Sequence, residues 1–368
     1  MDSCDILIVG GGPAGSSCAW RLSNSGLDVA ILDKQVFPRD KVCGGWITPQ
    51  VLTALDIDTA EYGASRVLQP ITGFRIGCIG NRSPPETDYG EAVSYGIRRC
   101  EFDHYLLRRS SARTYEGTNL SSLERTDQGW IANGNLRARL VVGAGGHFCP
   151  VARHFRAAVA EAVVAAQETE FELEVSQQSD CPVRGTVPEL YFCPDMKGYG
   201  WCFRKGNVLN IGLGRADSRR LPERVQEFVR FLGSAAGVSL PIPAMRGHAY
   251  LLYGTSPRRV AGDGFVLIGD AAGLAYPQSG EGILPAVQSG LLAAETILSA
   301  QGNYRNAQLE PYARQIADRF GAGEHWAIRI GRNLPPRLIE LAAARLMDTR
   351  WFTRNVVLDR WFLHRSAA

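Results

Sequence analysis

At 368 residues the chain exceeds the roughly 250–300 residues that one hydrophobic core organises, so two domains are expected. Its 45% hydrophobic and 21% charged residues are those of a globular protein and exclude a disordered or fibrous chain. A net charge of +3, a pI near 8.4 and the lack of any nucleic-acid-binding motif exclude a nucleic-acid partner.

The first predicted element is an apolar strand, Asp5-Ile6-Leu7-Ile8-Val9, which runs into Gly10-Gly11-Gly12-Pro13-Ala14-Gly15 and a helix to about residue 25. In this G-x-G-x-x-G, Gly10 permits a tight turn, Gly12 lets a pyrophosphate approach the backbone, and Gly15 lets helix and strand pack closely. A second strand, Val29-Ala30-Ile31-Leu32, ends at Asp33, 18 residues after Gly15. That is close to the spacing of about 20 at which a carboxylate holds a ribose. Gly10, Gly12, Pro13, Ala14, Gly15, Asp33 and Lys34 are therefore candidate cofactor-binding residues. Alone, they do not separate FAD from NAD(P).

Short strands and turns follow over 67–95, then a helix from Cys100 to Leu107. A hairpin is expected at 130–132 and 136–140, turned by Asn133-Gly134-Asn135. A buried strand then ends in Gly143-Ala144-Gly145-Gly146. From 158 to 257 the pattern is β-rich, with alternating runs at 171–175 and 208–213 and one helix at 222–232. Tyr199, Trp201 and Phe203 alternate, so on a strand they share one face, either sheet core or a cavity wall.

Next comes the strand Val266-Leu267-Ile268, ending in Gly269-Asp270-Ala271-Ala272-Gly273 and continuing through Gly280 and Gly282 to a helix from Ile283 to about 300. One carboxylate and a row of free helix N–H groups then point at one place. A nicotinamide enzyme needs no second clamp some 250 residues after the first. Together the two clamps specify a long ligand, FAD, with its ADP half at the first and its flavin half at Asp270. The expected fold is α/β (α+β overall): a discontinuous Rossmann-type FAD domain over 1–65, 97–155 and 258–320. A β-rich substrate domain over 66–96 and 156–257 is inserted in it, and C-terminal helices occupy 321–368.

Residues 328–368 carry eight Arg against three acids and the aromatics Trp351, Phe352, Trp361 and Phe362. Leu338, Leu341, Ala342 and Leu346 are helically spaced, giving an apolar face bordered by Arg. Packing on the chain's own domain is the expectation; peripheral membrane contact is the alternative. The nine cysteines form no C-x-x-C and suit a reducing compartment. His147, His248 and His325 are isolated in sequence, so no metal site is expected. With no signal segment and no membrane-length apolar run, a cytoplasmic location is expected.

Gly10-x-Gly12-x-x-Gly15, Arg99-x-x-Phe102-Asp103 and Gly269-Asp270-Ala271-Ala272-Gly273 together resemble the flavoproteins related to p-hydroxybenzoate hydroxylase, over roughly residues 5–310. Lys41-Val42-Cys43-Gly44-Gly45 and Tyr199-Gly200-Trp201-Cys202-Phe203-Arg204-Lys205-Gly206 are similar to segments of the geranylgeranyl reductase branch. The resemblance implies that Arg99 contacts FAD, that Asp270 serves the ribityl and pyrophosphate region, and that the 280–283 turn meets the isoalloxazine edge. It also implies cofactor contacts from Cys43, Gly44 and Gly145. Cys43, Tyr199, Trp201 and Phe203 become candidate active-site residues, with the strand over the flavin lining an apolar pocket.

One departure is plain. Where the superfamily shows Gly-Ala-Asp-Gly, this chain has Gly145 in place of the acid. That loss weakens direct use of NAD(P)H and leaves the donor open among NAD(P)H, ferredoxin and free reduced flavin. The implied activity is FAD-dependent reduction of a carbon–carbon double bond in a hydrophobic, isoprenoid or lipid-like substrate. The alternative is an FAD monooxygenase that hydroxylates or epoxidises an apolar or aromatic substrate; the shared fold does not choose between them. Halogenation is disfavoured because no Trp-x-Trp-x-Ile-Pro stretch is present. A non-catalytic flavin carrier is disfavoured because an aromatic pocket beside a covered flavin implies chemistry.

Overall fold

The computed structural model describes residues 1–80, 83–155, 163–235, 237–238, 240–254, 258–320, 342 and 345–365. Strand Asp2–Val9 lies inside an eight-stranded sheet, parallel to Val29–Leu32 on one side and Leu136–Gly143 on the other. Arg113–Tyr115 extends one edge; Phe265–Leu267, with antiparallel Ala261–Gly262, extends the other. Parallel strands covered on both faces bury side chains on both, which explains the unbroken apolar runs: Ile6, Leu7, Ile8, Val141 and Val142 are fully buried. The expected hairpin is present as Gly129–Ala132 against Leu136–Gly143.

The register aligns the carboxyl ends of four strands. Val9 is level with Leu32 and Gly143, and Gly143 with Leu267. The residues that follow, from Gly10, Asp33, Ala144 and Ile268 onward, therefore emerge along one edge, where open α/β sheets bind ligands. Helices Pro13–Leu22 and Ile283–Ser299 pack across this edge, so closely that a Cβ on Gly290 would lie 2.4 Å from the carbonyl oxygen of Ala14.

A second, seven-stranded sheet runs in the order Arg246–Leu251, Val163–Glu172, Val208–Arg215, Gly198–Lys205, Glu189–Phe192, Gly73–Cys78 and Glu86–Asp88. Helix Leu221–Ala235 covers one face through Phe228 and Leu232. The other face looks onto the edge of the first sheet. Segment 66–96 divides: Gly73–Cys78 and Glu86–Asp88 join this sheet, whereas Leu68–Ile71 and Ser94–Ile97 form a three-stranded sheet with Trp46–Ile47. The alternating run at 171–175 also divides. The strand stops at Glu172, and a capping box between Glu174 and Gln177 starts a helix at Val175.

Of the tail, 328–341 lies outside the described residues, as does His325. The described part packs on its own chain. Helix Arg350–Phe352 leads into a π-helical stretch, Thr353–Phe362, and Met347, Val357, Leu358, Phe362 and Leu363 are buried against Phe74, Leu190 and Trp201 of the seven-stranded sheet. Trp351 stays outside, 69% exposed. Among the described residues no helix is long and apolar enough to cross a membrane. All nine cysteines are free, and six are buried.

A candidate cofactor and substrate site

A cavity of about 1040 Å³ runs between the strand ends of the first sheet and the exposed face of the second. Gly10, Gly12, Pro13, Ala14, Asp33 and Lys34 line one end. Arg99, Gly145, Asp270, Gly280, Gly282 and Ile283 line the middle, and Cys43, Gly44, Tyr199, Trp201 and Phe203 line the other end. Of the residues expected at the site, Gly15 alone stands outside the lining. It lies beneath the turn, where a Cβ would meet the carbonyl oxygen of Gly10 at 1.9 Å, so its absent side chain serves strand–helix packing.

At the first end Gly10 has φ of +118°, and a Cβ there would sit 2.4 Å from the Ala144 carbonyl oxygen. Helix Pro13–Leu22 starts at Gly12 with no side-chain cap, so its N-terminal N–H groups face the cavity. Asp33 accepts N–H groups of Gly11 at 2.7 Å and Gln35 at 2.8 Å, which ties the turn to the second strand. Beside Gly12, Arg39 gives one guanidinium nitrogen to Asp103 at 3.1 Å. Its buried Nη1 has no hydrogen-bond partner. An orphaned cationic donor, a bare helix N-terminus and a glycine cradle fit an anionic diphosphate. Sequence reasoning passed over Arg39, whose one signal was a cation in the loop after the second strand.

Arg99 borders the cavity, and its Nε and Nη2 both donate to the fully buried Asp103 at 2.8 Å. In the middle, Asp270 sits on the 3₁₀ turn Gly269–Ala272, and a Cβ on Gly282 would lie 3.1 Å from its Oδ1. The row of free N–H groups is shorter than expected. Glu281 Oε1 accepts from Leu284 N–H at 3.1 Å and Pro285 has none, so Ile283 presents the helix's positive end.

At the aromatic end, Tyr199, Trp201 and Phe203 do share a face; Tyr199 O–H donates to the Ser279 carbonyl and Trp201 Nε1–H to Asn210 Oδ1 at 2.7 Å. Beside them, on the same sheet face, a polar network grips the Cys43 loop. Glu168 accepts the Cys43 N–H, and Asn210 Nδ2 donates to the Cys43 carbonyl at 3.1 Å. Lys205 Nζ donates to the carbonyls of Gly44 at 3.2 Å and Ile97 at 3.0 Å, and to Glu170. Gly45, at φ +65°, has room for no side chain: a Cβ would approach Ile97 O to 2.3 Å and Lys205 Nζ to 2.5 Å. Glu168, Glu170 and Asn210 went unremarked in the sequence. Their signal was Glu-Thr-Glu on a half-buried strand, which places two carboxylates on one face.

His248 is not isolated. Its Nε2 lies 2.7 Å from Lys41 Nζ, 207 positions earlier. Burial, with Arg99 nearby, lowers the Lys41 ammonium to about 8. Burial and the cations Lys41 and Arg99 push His248 down to about 3, so a neutral imidazole accepts from the ammonium. Burial raises Glu168 to about 7, against the Cys43 N–H, Lys205 and Lys41, which pull the other way.

A carboxyl raised in the folded state stabilises fully below its unfolded value near 4.5 and loses that contribution as pH rises through 7. Wild type should therefore lose about 3 kcal/mol relative to Glu168→Gln between pH 4.5 and 7. Urea denaturation at both pH values checks this; parallel curves for the two proteins would remove the buried-acid assignment. Among the described residues no cluster could hold a metal ion.

Three comparisons place the chain among known proteins. Residues 5–75 match the family model described as FAD dependent oxidoreductase. A menaquinone reductase of Mycobacterium tuberculosis is 30% identical, covering 89% of this chain and 83% of its own length. A geranylgeranyl diphosphate reductase of Rhodobacter capsulatus is 30% identical, over 83% and 78%. Among solved structures, a geranylgeranyl bacteriochlorophyll reductase-like protein of Thermoplasma acidophilum aligns with TM-score 0.74 at 21% identity, over 95% of this chain and 88% of that one. A halogenase solved with FAD aligns at TM-score 0.70 and 16% identity, over 94% and 77%, a likeness of fold alone.

Proposed function

Because the chain belongs to the FAD-dependent oxidoreductases, in the geranylgeranyl reductase branch, we propose that it reduces a carbon–carbon double bond of a hydrophobic, isoprenoid or lipid-like substrate. The observation that carries this reading is continuity: the glycine-lined cofactor end and the aromatic end belong to one cavity. Relatives named for geranylgeranyl diphosphate, digeranylgeranylglycerophospholipid and menaquinone support an apolar, isoprenoid-bearing substrate.

When bound, FAD supplies the hydride chemistry. Gly10, Gly12, the N-terminus of helix Pro13–Leu22 and Arg39 hold the diphosphate; Asp270 and the Ile283 N–H hold the flavin half. Tyr199, Trp201 and Phe203 exclude water and orient the apolar chain, while the network beneath Cys43 keeps that loop against the cavity. Lys41 Nζ, hydrogen-bonded to a neutral His248, holds an exchangeable proton at the cavity wall.

A single-turnover experiment tests the assignment. Protein reduced under argon and mixed with a prenyl substrate should return its flavin to the oxidised form and yield a product richer by two hydrogens. A flavin that stays reduced under argon, with a product gaining an oxygen atom once air is admitted, would establish the monooxygenase instead.

A further inference from the structure

Phe362 is the one residue of the described C-terminal segment among those lining the cavity. It is fully buried, stacks on Trp46 at 5.3 Å and 27°, and meets Tyr199 edge-on at 5.4 Å. It belongs to one apolar cluster with the buried side chains of Val357, Leu358 and Leu363. The ring thus presents an apolar wall to the aromatic half of the cavity.

Three contacts fix the segment that carries it. Tyr89 O–H donates to Asp359 at 2.8 Å, the Gln50 amide donates to the Leu363 carbonyl, and His364 Nε2 lies 3.1 Å from Glu281 Oε2. The last joins the wall to the turn that starts helix Ile283–Ser299, on the flavin side of the cavity.

We propose that Phe362 is the specificity-determining residue that sets how long an apolar chain the site accepts, an inference that rests on the proposed prenyl-type substrate. A buried ring held in apolar packing is a hard stop: a chain one unit too long must displace it, whereas a smaller side chain leaves a void that extra methylenes fill with gain.

The test is isothermal titration of FAD-loaded protein with prenyl alcohols of one to five isoprene units. Wild type should bind more tightly with each unit up to a limiting length and then lose at least about tenfold (about 1.4 kcal/mol) at the next. Phe362→Leu and Phe362→Ala should move that break to a longer alcohol, and Phe362→Trp to a shorter one. Opposite shifts from smaller and larger side chains are an outcome that a merely structural role would not produce. Thermal melts and flavin content identify variants that fail to fold, and Phe362→Leu removes the least packing. Breaks at one length in wild type, Phe362→Leu and Phe362→Trp would overturn this role of Phe362 and leave the proposed substrate class standing. No binding of any prenyl alcohol by folded wild type would overturn both.

Discussion

A Gly12→Asp chain should fold normally and yet purify colourless. Gly12 is the N-cap of helix Pro13–Leu22, at φ −74° and ψ −173°, a conformation Asp adopts without strain. The nearest atom to its missing Cβ is Arg39 Nη2 at 3.4 Å, so a carboxylate fits there. Relative to glycine, aspartate at an N-cap, beside a helix's positive end and an arginine, stabilises by about 0.3–1 kcal/mol. The same carboxylate takes the N–H groups and the arginine that a diphosphate needs, and repels its charge. FAD affinity should fall at least about 100-fold (about 2.7 kcal/mol), with an unchanged or raised melting temperature. Absorbance of the purified protein and a titration with added FAD check this. A yellow variant with wild-type affinity would remove the diphosphate from this end of the cavity. Gly10→Ala differs in kind: with φ of +118° and a backbone oxygen 2.4 Å away, it should lose the fold along with the cofactor.

Lys205→Met should be the most destabilising of the conservative substitutions at the aromatic end. The side chain is 1% exposed, and its ammonium answers the carbonyls of Gly44 and Ile97 and the carboxylate of Glu170. Methionine keeps the shape and removes the charge, so the two carbonyls lose this donor and Glu170 keeps only Asn210 Nδ2, at 3.1 Å, and Arg98. Breaking a buried pair by removing one partner costs about 3–5 kcal/mol. Arg98, 3.4 Å from the other Glu170 oxygen, places the effect at the lower end of that range. Adding Glu170→Gln to Lys205→Met should restore part of the loss, because the uncompensated charge is then gone. Denaturant titration gives the energies, and amide exchange at residues 43–45 should quicken in the single variant. A loss below about 1 kcal/mol would mean that water already shares these acceptors.

The turn from Gly10 to Gly15, the acid at Asp33 and the strand-to-helix passage through Asp270 were legible because each is a local event. A few consecutive residues with glycine at set positions allow one backbone path, and that path carries its own dipoles. The burial of both sheet faces was legible for the same reason, in unbroken apolar runs. Where local signals compete, the reading slipped. Val175 continues an alternating run, but a capping box one residue earlier had already turned the chain into a helix. Likewise Glu281 takes the Leu284 N–H and Pro285 supplies none, so fewer helix N–H groups are free than counting alone suggests.

The chain's order of residues by itself determined the FAD-type scaffold, its two glycine-bearing strand-to-helix turns and the alternation that puts Tyr199, Trp201 and Phe203 on one face. Only the tertiary structure decided which charges meet and where the cavity ends. Lys41 finds His248 across 207 positions, Cys43 finds Glu168 across 125, and Phe362 closes against Trp46 from the other end of the chain. Proton affinity and pocket length depend on burial and on neighbours within a few ångströms, and folding creates those neighbours from residues that sequence spacing holds far apart.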